Sequence, residues 1–262
     1  MLLSRDGEHA NTGGIAVQEP PKIFCPDVGG HALTLSTQVT RSDPRIGNLM
    51  DTRAIPYPLA KKVTDKAISS ALLVALAPIF AVAYVAIGID RALVPRDRGP
   101  SLYRERRISR GREFELLKFR TLRRTALERQ REGEAHARLL ENDPENLTWA
   151  GRRILKPWYL DELPQLFNIL RGDMSLVGPR PWPPSMVRDQ IEAGIEYRNQ
   201  VMPGWTGPVQ VQKGIVEPDG YTRLDLAYVD ACSRGGLQLA RYDLGILWRT
   251  VKVLFRGEGL SY

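Results

Sequence analysis

The chain has two cysteines, Cys25 and Cys232, too far apart for a metal-type spacing and too few for a disulfide framework. Their scarcity suits a reducing compartment. Its three histidines, His9, His31 and His136, are scattered and offer no zinc set. There is no P-loop, no GxGxxG, no Ser-His-Asp arrangement and no internal repeat. Aromatic residues make up 8% of the chain and do not interleave with basic ones as in nucleic-acid modules, so no nucleic-acid partner is expected. No signal peptide is read at the start, where Met1-Leu2-Leu3 runs at once into Ser4-Arg5-Asp6-Gly7. Only one long apolar run is visible.

What is present is charge and apolar content. The net charge is +7, which calls for an anionic partner such as acidic lipid or nucleotide phosphate, and 43% hydrophobic residues are ample for a core. The length suits one large domain or two small ones.

The apolar run is AISSALLVALAPIFAVAYVAIGI, residues 67–89. As a helix it reaches roughly 34 Å, about enough to cross a hydrocarbon core. Pro78 stands in its middle and breaks the hydrogen-bond ladder. Lys61, Lys62 and Lys66 precede it, and Arg91, Arg96 and Arg98 follow. Basic residues favour the cytoplasmic side, and here both flanks claim it. A helix that enters, bends at Pro78 and returns to the same face satisfies both; a straight span is the alternative.

Residues 160–172, LDELPQLFNILRG, carry the densest chemistry. Leu163, Leu166, Phe167 and Leu170 recur at helical spacing and predict one buried stripe. Pro164 is tolerated only in a first turn, which puts Asp161 and Glu162 at or just before the helix start, and Gly172 suits its end. Acids there are stabilised as anions by the helix dipole, and the same N–H groups attract phosphate. Such a carboxylate can hold Mg²⁺ or act as a nucleophile, or it can simply cap the helix. Further on, Gly178-Pro179-Arg180-Pro181 places Arg180 on a stiff loop suited to bidentate phosphate binding.

The stretch DELPQLFNILRGDMSLVGPRP closely resembles the signature of the bacterial sugar transferases, monotopic polyprenol-phosphate phosphoglycosyl transferases. The resemblance runs from about residue 61 to 259. Gly99, Pro100, Arg107, Gly111, Phe114, Lys118, Phe119, Arg120 and Thr121 match the family's Gly-Pro, Gln-x-Arg and Lys-Phe-Arg-Thr pattern. Glu105 stands where Gln is usual, Ser109 for a Gly, Ala77 for the Ser before the proline, and Lys156 for an Arg. Residues 203–211 resemble its Pro-Gly-(Ile/Leu)-Thr-Gly segment, where the glycines permit approach to a ligand or a tight turn.

The resemblance implies an α+β, predominantly helical fold in a monotopic membrane protein. Residues 1–58 form an irregular arm, with a short strand near 32–39. Residues 59–91 form a re-entrant hairpin kinked at Pro78. Residues 92–262 form a cytosolic catalytic domain on the inner face of the bacterial cytoplasmic membrane. Residues 122–141 read as an exposed, salt-bridged helix ended at Pro144. In residues 242–256, Leu244, Leu247, Trp248, Val251 and Phe255 share a face, with Arg249, Lys252 and Arg256 on another. That helix either lies in the bilayer interface or packs into the core.

The implied reaction moves a sugar-1-phosphate from a UDP-sugar to a polyprenyl (undecaprenyl) phosphate and releases UMP, the first membrane step of exopolysaccharide, capsule, O-antigen or glycoconjugate assembly. Asp161 is the implied nucleophile. Asp161 and Glu162 hold the Mg²⁺ cofactor, and Lys118, Arg120, Lys156 and Arg180 meet the phosphates. Membrane lipid is the remaining partner, and a homo-oligomer is left open. The rival reading is a non-catalytic membrane scaffold with a basic lipid-binding face. An Asp161 side chain buried in the protein, or far from any basic pocket at the membrane rim, would count against the enzyme reading.

Overall fold

A computed structural model describes residues 22–24, 32–34, 53–131, 140–212 and 218–255. Among these, helices dominate and three small two-stranded sheets accompany them, as the α+β reading expects. Of the N-terminal arm, β1 (Lys22–Phe24) pairs antiparallel with β2 (Ala32–Thr34), the latter within the strand expected near 32–39. The rest of that expectation lies outside the described residues.

The apolar run forms two helices, α1 (Leu59–Ala75) and α2 (Ala77–Leu93), bent by 60° where they meet at Leu76. Pro78 sits in the first turn of α2, where its missing N–H leaves no bond unmade, so the break falls two residues ahead of the proline. No single described helix is long and apolar enough to cross a membrane, whereas the bent pair together is. Val74, Val82, Val85 and Leu93 stand exposed along the pair. Other side chains grip the protein beneath: Ile68 and Leu72 lean on Leu166 and Ile169, and Phe80 and Tyr84 meet Phe119 edge-on.

The arginine-rich stretch is a hairpin of β3 (Leu102–Ser109) and β4 (Arg112–Phe119), in register from Leu102 opposite Phe119 to Ser109 opposite Arg112. Its two-residue turn holds Arg110 at φ 49° and Gly111 at φ 76°, the left-handed pair a tight hairpin requires. Antiparallel pairing places Tyr103, Glu105 and Arg107 on the same face as Phe114, Leu116 and Lys118. α3 (Arg124–Arg131) carries the expected i,i+4 pair, Arg124 to Glu128 at 2.9 Å, but Ala126 is fully buried, so this helix is not wholly solvated.

α4 (Gln165–Arg171) ends at Gly172, whose φ of 91° is the left-handed cap glycine serves best. The expected stripe needs correction. Leu163, Leu166 and Ile169 are buried, while Phe167 is 41% exposed and meets Phe80 of the bent pair. β5 (Ser175–Val177) runs parallel to β6 (Gly204–Thr206). α5 (Pro184–Glu192) and α6 (Tyr197–Gln200) lie between them in sequence, and α7 (Pro218–Arg234) and α8 (Gly236–Phe255) close the described chain. Leu166, Ile169, Met174, Leu176, Val177, Tyr228, Leu239 and Ile246 form the main core, each contributing about 1.5–3 kcal/mol by burial.

On α8 the expected apolar face is partly right. Leu237, Leu244, Trp248 and Val251 are exposed, but Leu247 packs against the main core. The side chain of Phe255 lies outside the described residues.

Candidate active site

The acid pair is delivered by three successive turns. Asp90, near the end of α2, accepts hydrogen bonds from the N–H groups of Trp149 (3.2 Å) and Ala150 (2.8 Å). This fixes the start of a π-helical turn, Gly151–Leu155, whose tail presents Lys156. Gly151 tolerates no side chain, because a Cβ would stand 2.6 Å from the Thr121 carbonyl oxygen. Tyr159 then takes φ 54°, a left-handed conformation uncommon for a non-glycine residue. It swings the chain into a 3-10 turn, Leu160–Glu162, just ahead of α4. Asp161 and Glu162 therefore precede the helix, as their spacing from Pro164 requires.

The Asp161 side chain is buried, with the residue only 3% exposed. This differs from the accessible rim position that the sequence reading asks for. It is not isolated from positive charge, however: Lys156 Nζ lies 3.3 Å from Asp161 Oδ2 and 2.6 Å from Glu141 Oε2. Burial pushes the Asp161 carboxyl up to about 6, against the attraction of Lys156 and with Glu162 adding repulsion. Glu162 goes the other way. Burial disfavours its charge, but Lys118 Nζ and Arg180 Nη2, each 3.3 Å from its Oε1, outweigh that and hold it down at about 2. Two neighbouring acids are thereby differentiated: one a firmly ionised anchor for two cations, the other poised near neutrality.

Arg180 reaches Glu162 from a loop fixed on several sides. Gly178 and Gly204 touch so closely that a Cβ on Gly204 would stand 2.0 Å from the Gly178 nitrogen. The glycines of the 203–211 segment thus serve backbone packing between β5 and β6. Arg198 braces the same loop: Nη1 donates to the Arg180 carbonyl at 2.8 Å, Nη2 pairs with Asp225 at 2.9 Å, Nε donates to Gln190 at 2.9 Å, and the guanidinium lies 3.9 Å over the Trp182 ring.

Arg120 belongs elsewhere. Its Nη1 is 3.2 Å from Asp97 Oδ1 and its Nη2 2.8 Å from the Asp97 carbonyl, on the connection that leaves α2. β4 stops at Phe119, so Arg120 lies beyond the strand that carries Lys118.

Of the six residues expected at the site, Lys118, Lys156, Asp161, Glu162 and Arg180 come together and Arg120 does not. Arg107, which matches the Gln-x-Arg pattern but carries no expected site role, joins them; Glu141 and Arg198 are additions that spacing did not reveal. Arg107, Lys118, Glu162, Gln165, Arg180 and Trp205 line a small, partly open cleft.

For a metal, no group of three or more His, Cys, Asp or Glu gathers among the described residues. Mg²⁺ commonly uses one or two carboxylates and completes its shell with water and substrate phosphate. Asp161 and Glu162, adjacent in the chain and beside a cationic pocket, fit that partial donor set.

A family model described as bacterial sugar transferase matches residues 56–257. The chain is 38% identical over 181 residues to the undecaprenyl-phosphate galactose phosphotransferase of Salmonella typhimurium, covering 63% of this chain and 36% of that protein. It is 36% identical over 209 residues to the UDP-glucose:undecaprenyl-phosphate glucose-1-phosphate transferase of Caulobacter vibrioides, covering 76% of this chain and 68% of that one. With the undecaprenyl-phosphate glucose phosphotransferase of Komagataeibacter xylinus it shares 36% identity over 203 residues, 75% of this chain and 35% of the relative. The match thus spans little more than a third of the length of two of these relatives.

Proposed function

The chain belongs to the bacterial sugar transferase family, and from that premise we propose that it transfers a sugar-1-phosphate from a UDP-sugar to undecaprenyl phosphate at the cytoplasmic face of the membrane, in the assembly of a surface glycan. The names of its relatives support the donor and acceptor classes. The observation that carries the reading is the buried Asp161–Glu162 pair, contacted at 3.3 Å by Lys156, Lys118 and Arg180.

In the first step an Asp161 oxygen attacks the phosphorus that bears the sugar. The bond from that phosphorus to the bridging oxygen breaks, UMP leaves with the oxygen, and the phosphosugar stays on Asp161 as a mixed anhydride. In the second step an oxygen of the lipid phosphate attacks the same phosphorus and the Asp161–phosphorus bond breaks. Two exchanges at one carboxylate replace one difficult encounter of anions. Arg180 and Lys118 are placed to exchange Glu162 for phosphate oxygens, and Lys156 to leave Asp161 as the donor arrives. Asp161 and Glu162 would hold a Mg²⁺ ion, which would supply charge screening between carboxylate and diphosphate.

The bent α1–α2 pair and the exposed face of α8 suit a protein seated in one leaflet, where a lipid that cannot leave the bilayer meets the site. Mass spectrometry of the chain quenched with UDP-sugar alone tests the mechanism: a phosphosugar adduct on the peptide bearing Asp161 is expected. Turnover with no adduct and with Asp161 dispensable would overturn it.

A further inference from the structure

The hairpin carries a cation that the reaction just described does not use. Arg107 lines the pocket shared by Lys118, Glu162 and Arg180, and its side chain is 13% exposed. Its Nη2 pairs with Glu105 Oε1 at 2.7 Å, while its Nε is buried with no hydrogen-bond partner. Burial and the nearby Arg180 both disfavour its charge, and the Glu105 carboxylate is the largest influence offsetting them. A buried guanidinium with an unsatisfied donor, beside two more cations, is an incomplete arrangement until an oxyanion joins it.

Glu105 completes it only in part. Strand alternation keeps Glu105 and Arg107 on one face, the face of Lys118, so the acid must meet that cationic wall. A Gln amide at this position could also hold Arg107 by a hydrogen bond, but it would not neutralise it.

We propose that Arg107 is a third phosphate-binding cation of the pocket, and that Glu105 is a positioning residue that acts as its built-in counter-anion and weakens the pocket's hold on phosphate. The proposal rests on the transferase reading for the identity of the ligand, but its core claim is oxyanion binding, which can be measured apart from turnover. The ligand chemistry is a phosphate or diphosphate, supplied by the nucleotide donor or by the lipid acceptor.

The test is a double-mutant cycle on the full chain in detergent, read by calorimetric binding of UDP and, in a second arm, of a short-chain polyprenyl phosphate. Glu105→Gln is expected to tighten at least one of the two by roughly tenfold, the scale of unmasking one enclosed charge. Arg107→Gln is expected to weaken the same ligand, and in that background Glu105→Gln should have no further effect. Arg107→Lys, which keeps the charge if the guanidinium proves essential for folding, should retain most of the Glu105→Gln response. The arm that responds identifies donor or acceptor. An unchanged affinity for both ligands in Glu105→Gln overturns the proposal, as does a tightening that persists undiminished when Arg107 is gone. UMP release by the unmodified chain is measured in parallel. If it occurs while the cycle shows no coupling, this proposal alone fails; coupling without UMP release removes the transferase reading and leaves the oxyanion site standing.

Discussion

The Lys156 ammonium sits 3.3 Å from Asp161 and 2.6 Å from Glu141, so one cation is shared between two carboxylates. Lys156 is thus the nearest counter-charge to the buried Asp161, a point charge on a four-carbon stem.

Asp161→Asn is expected to lower transfer by on the order of 10³-fold or more, the scale seen when the nucleophile of a catalytic unit is removed. The same variant should melt a few degrees higher than the parent at pH 7.5. The folded carboxyl titrates at about 6 against 3.8 for a free Asp, so folding binds its proton more tightly. Stability therefore falls as pH rises from about 4 to 6 and stays reduced above, a penalty that Asn removes. For Glu162 the sign reverses. Its carboxyl titrates at about 2 against 4.5, and the stability it adds is complete above 4.5 and lost as pH falls toward 2. Glu162→Gln should melt lower at pH 7.5. Thermal melts of the three proteins decide; equal or lower stability of Asp161→Asn at pH 7.5 would contradict the assignment.

Lys156 and Glu141 should move the acid limb of the kcat/KM profile in opposite directions. Lys156→Met removes the cation that favours ionised Asp161, so the limb shifts to higher pH. Glu141→Gln removes a like charge and shifts it lower, each by up to about one pH unit. Identical profiles for the three proteins would detach both residues from Asp161.

Arg120 is expected to matter for folding and not for substrate affinity. Its ion pair with Asp97 is nearly inaccessible, with the Arg120 side chain 3% exposed. Arg120→Gln leaves Asp97 without its ion-pair partner and should cost about 3 kcal/mol. Protein that still folds should keep the parental KM for UDP-sugar. A raised KM at unchanged melting temperature would return Arg120 to the phosphate site.

Trp248 on α8 is 60% exposed, close to Leu244 and Val251 on the same open face. A carboxylate there should oppose seating in a lipid interface. Trp248→Glu is predicted to reduce partitioning onto anionic vesicles by about tenfold, with melting temperature little changed because the side chain is not in the core. Sedimentation with vesicles measures it, and undiminished partitioning would mean that α8 faces water.

Local rules carried much of this protein. Pro78 within an apolar run dictated a break, Pro164 and Gly172 bounded α4, and Asp161 and Glu162 fell just ahead of that helix because proline belongs only in a first turn. Each of these depends on backbone sterics within a few residues, which a sequence states directly. The stripe on α4 was less legible. Helical period alone does not say which side of a short helix meets the core, and here Phe167 turns away from the core toward Phe80 of the bent pair and stays part-exposed.

The amino-acid order by itself determined the bent apolar pair, the acid pair before α4 and the stiff loop of Arg180. Only the tertiary structure decided how the charges are shared. Arg120 was drawn to Asp97, Arg107 entered the pocket, and Glu141 came from 15 residues upstream to meet Lys156. The reason is physical: once water is excluded, each buried charge must find a partner by distance and direction in space, and spacing along the chain does not encode that choice.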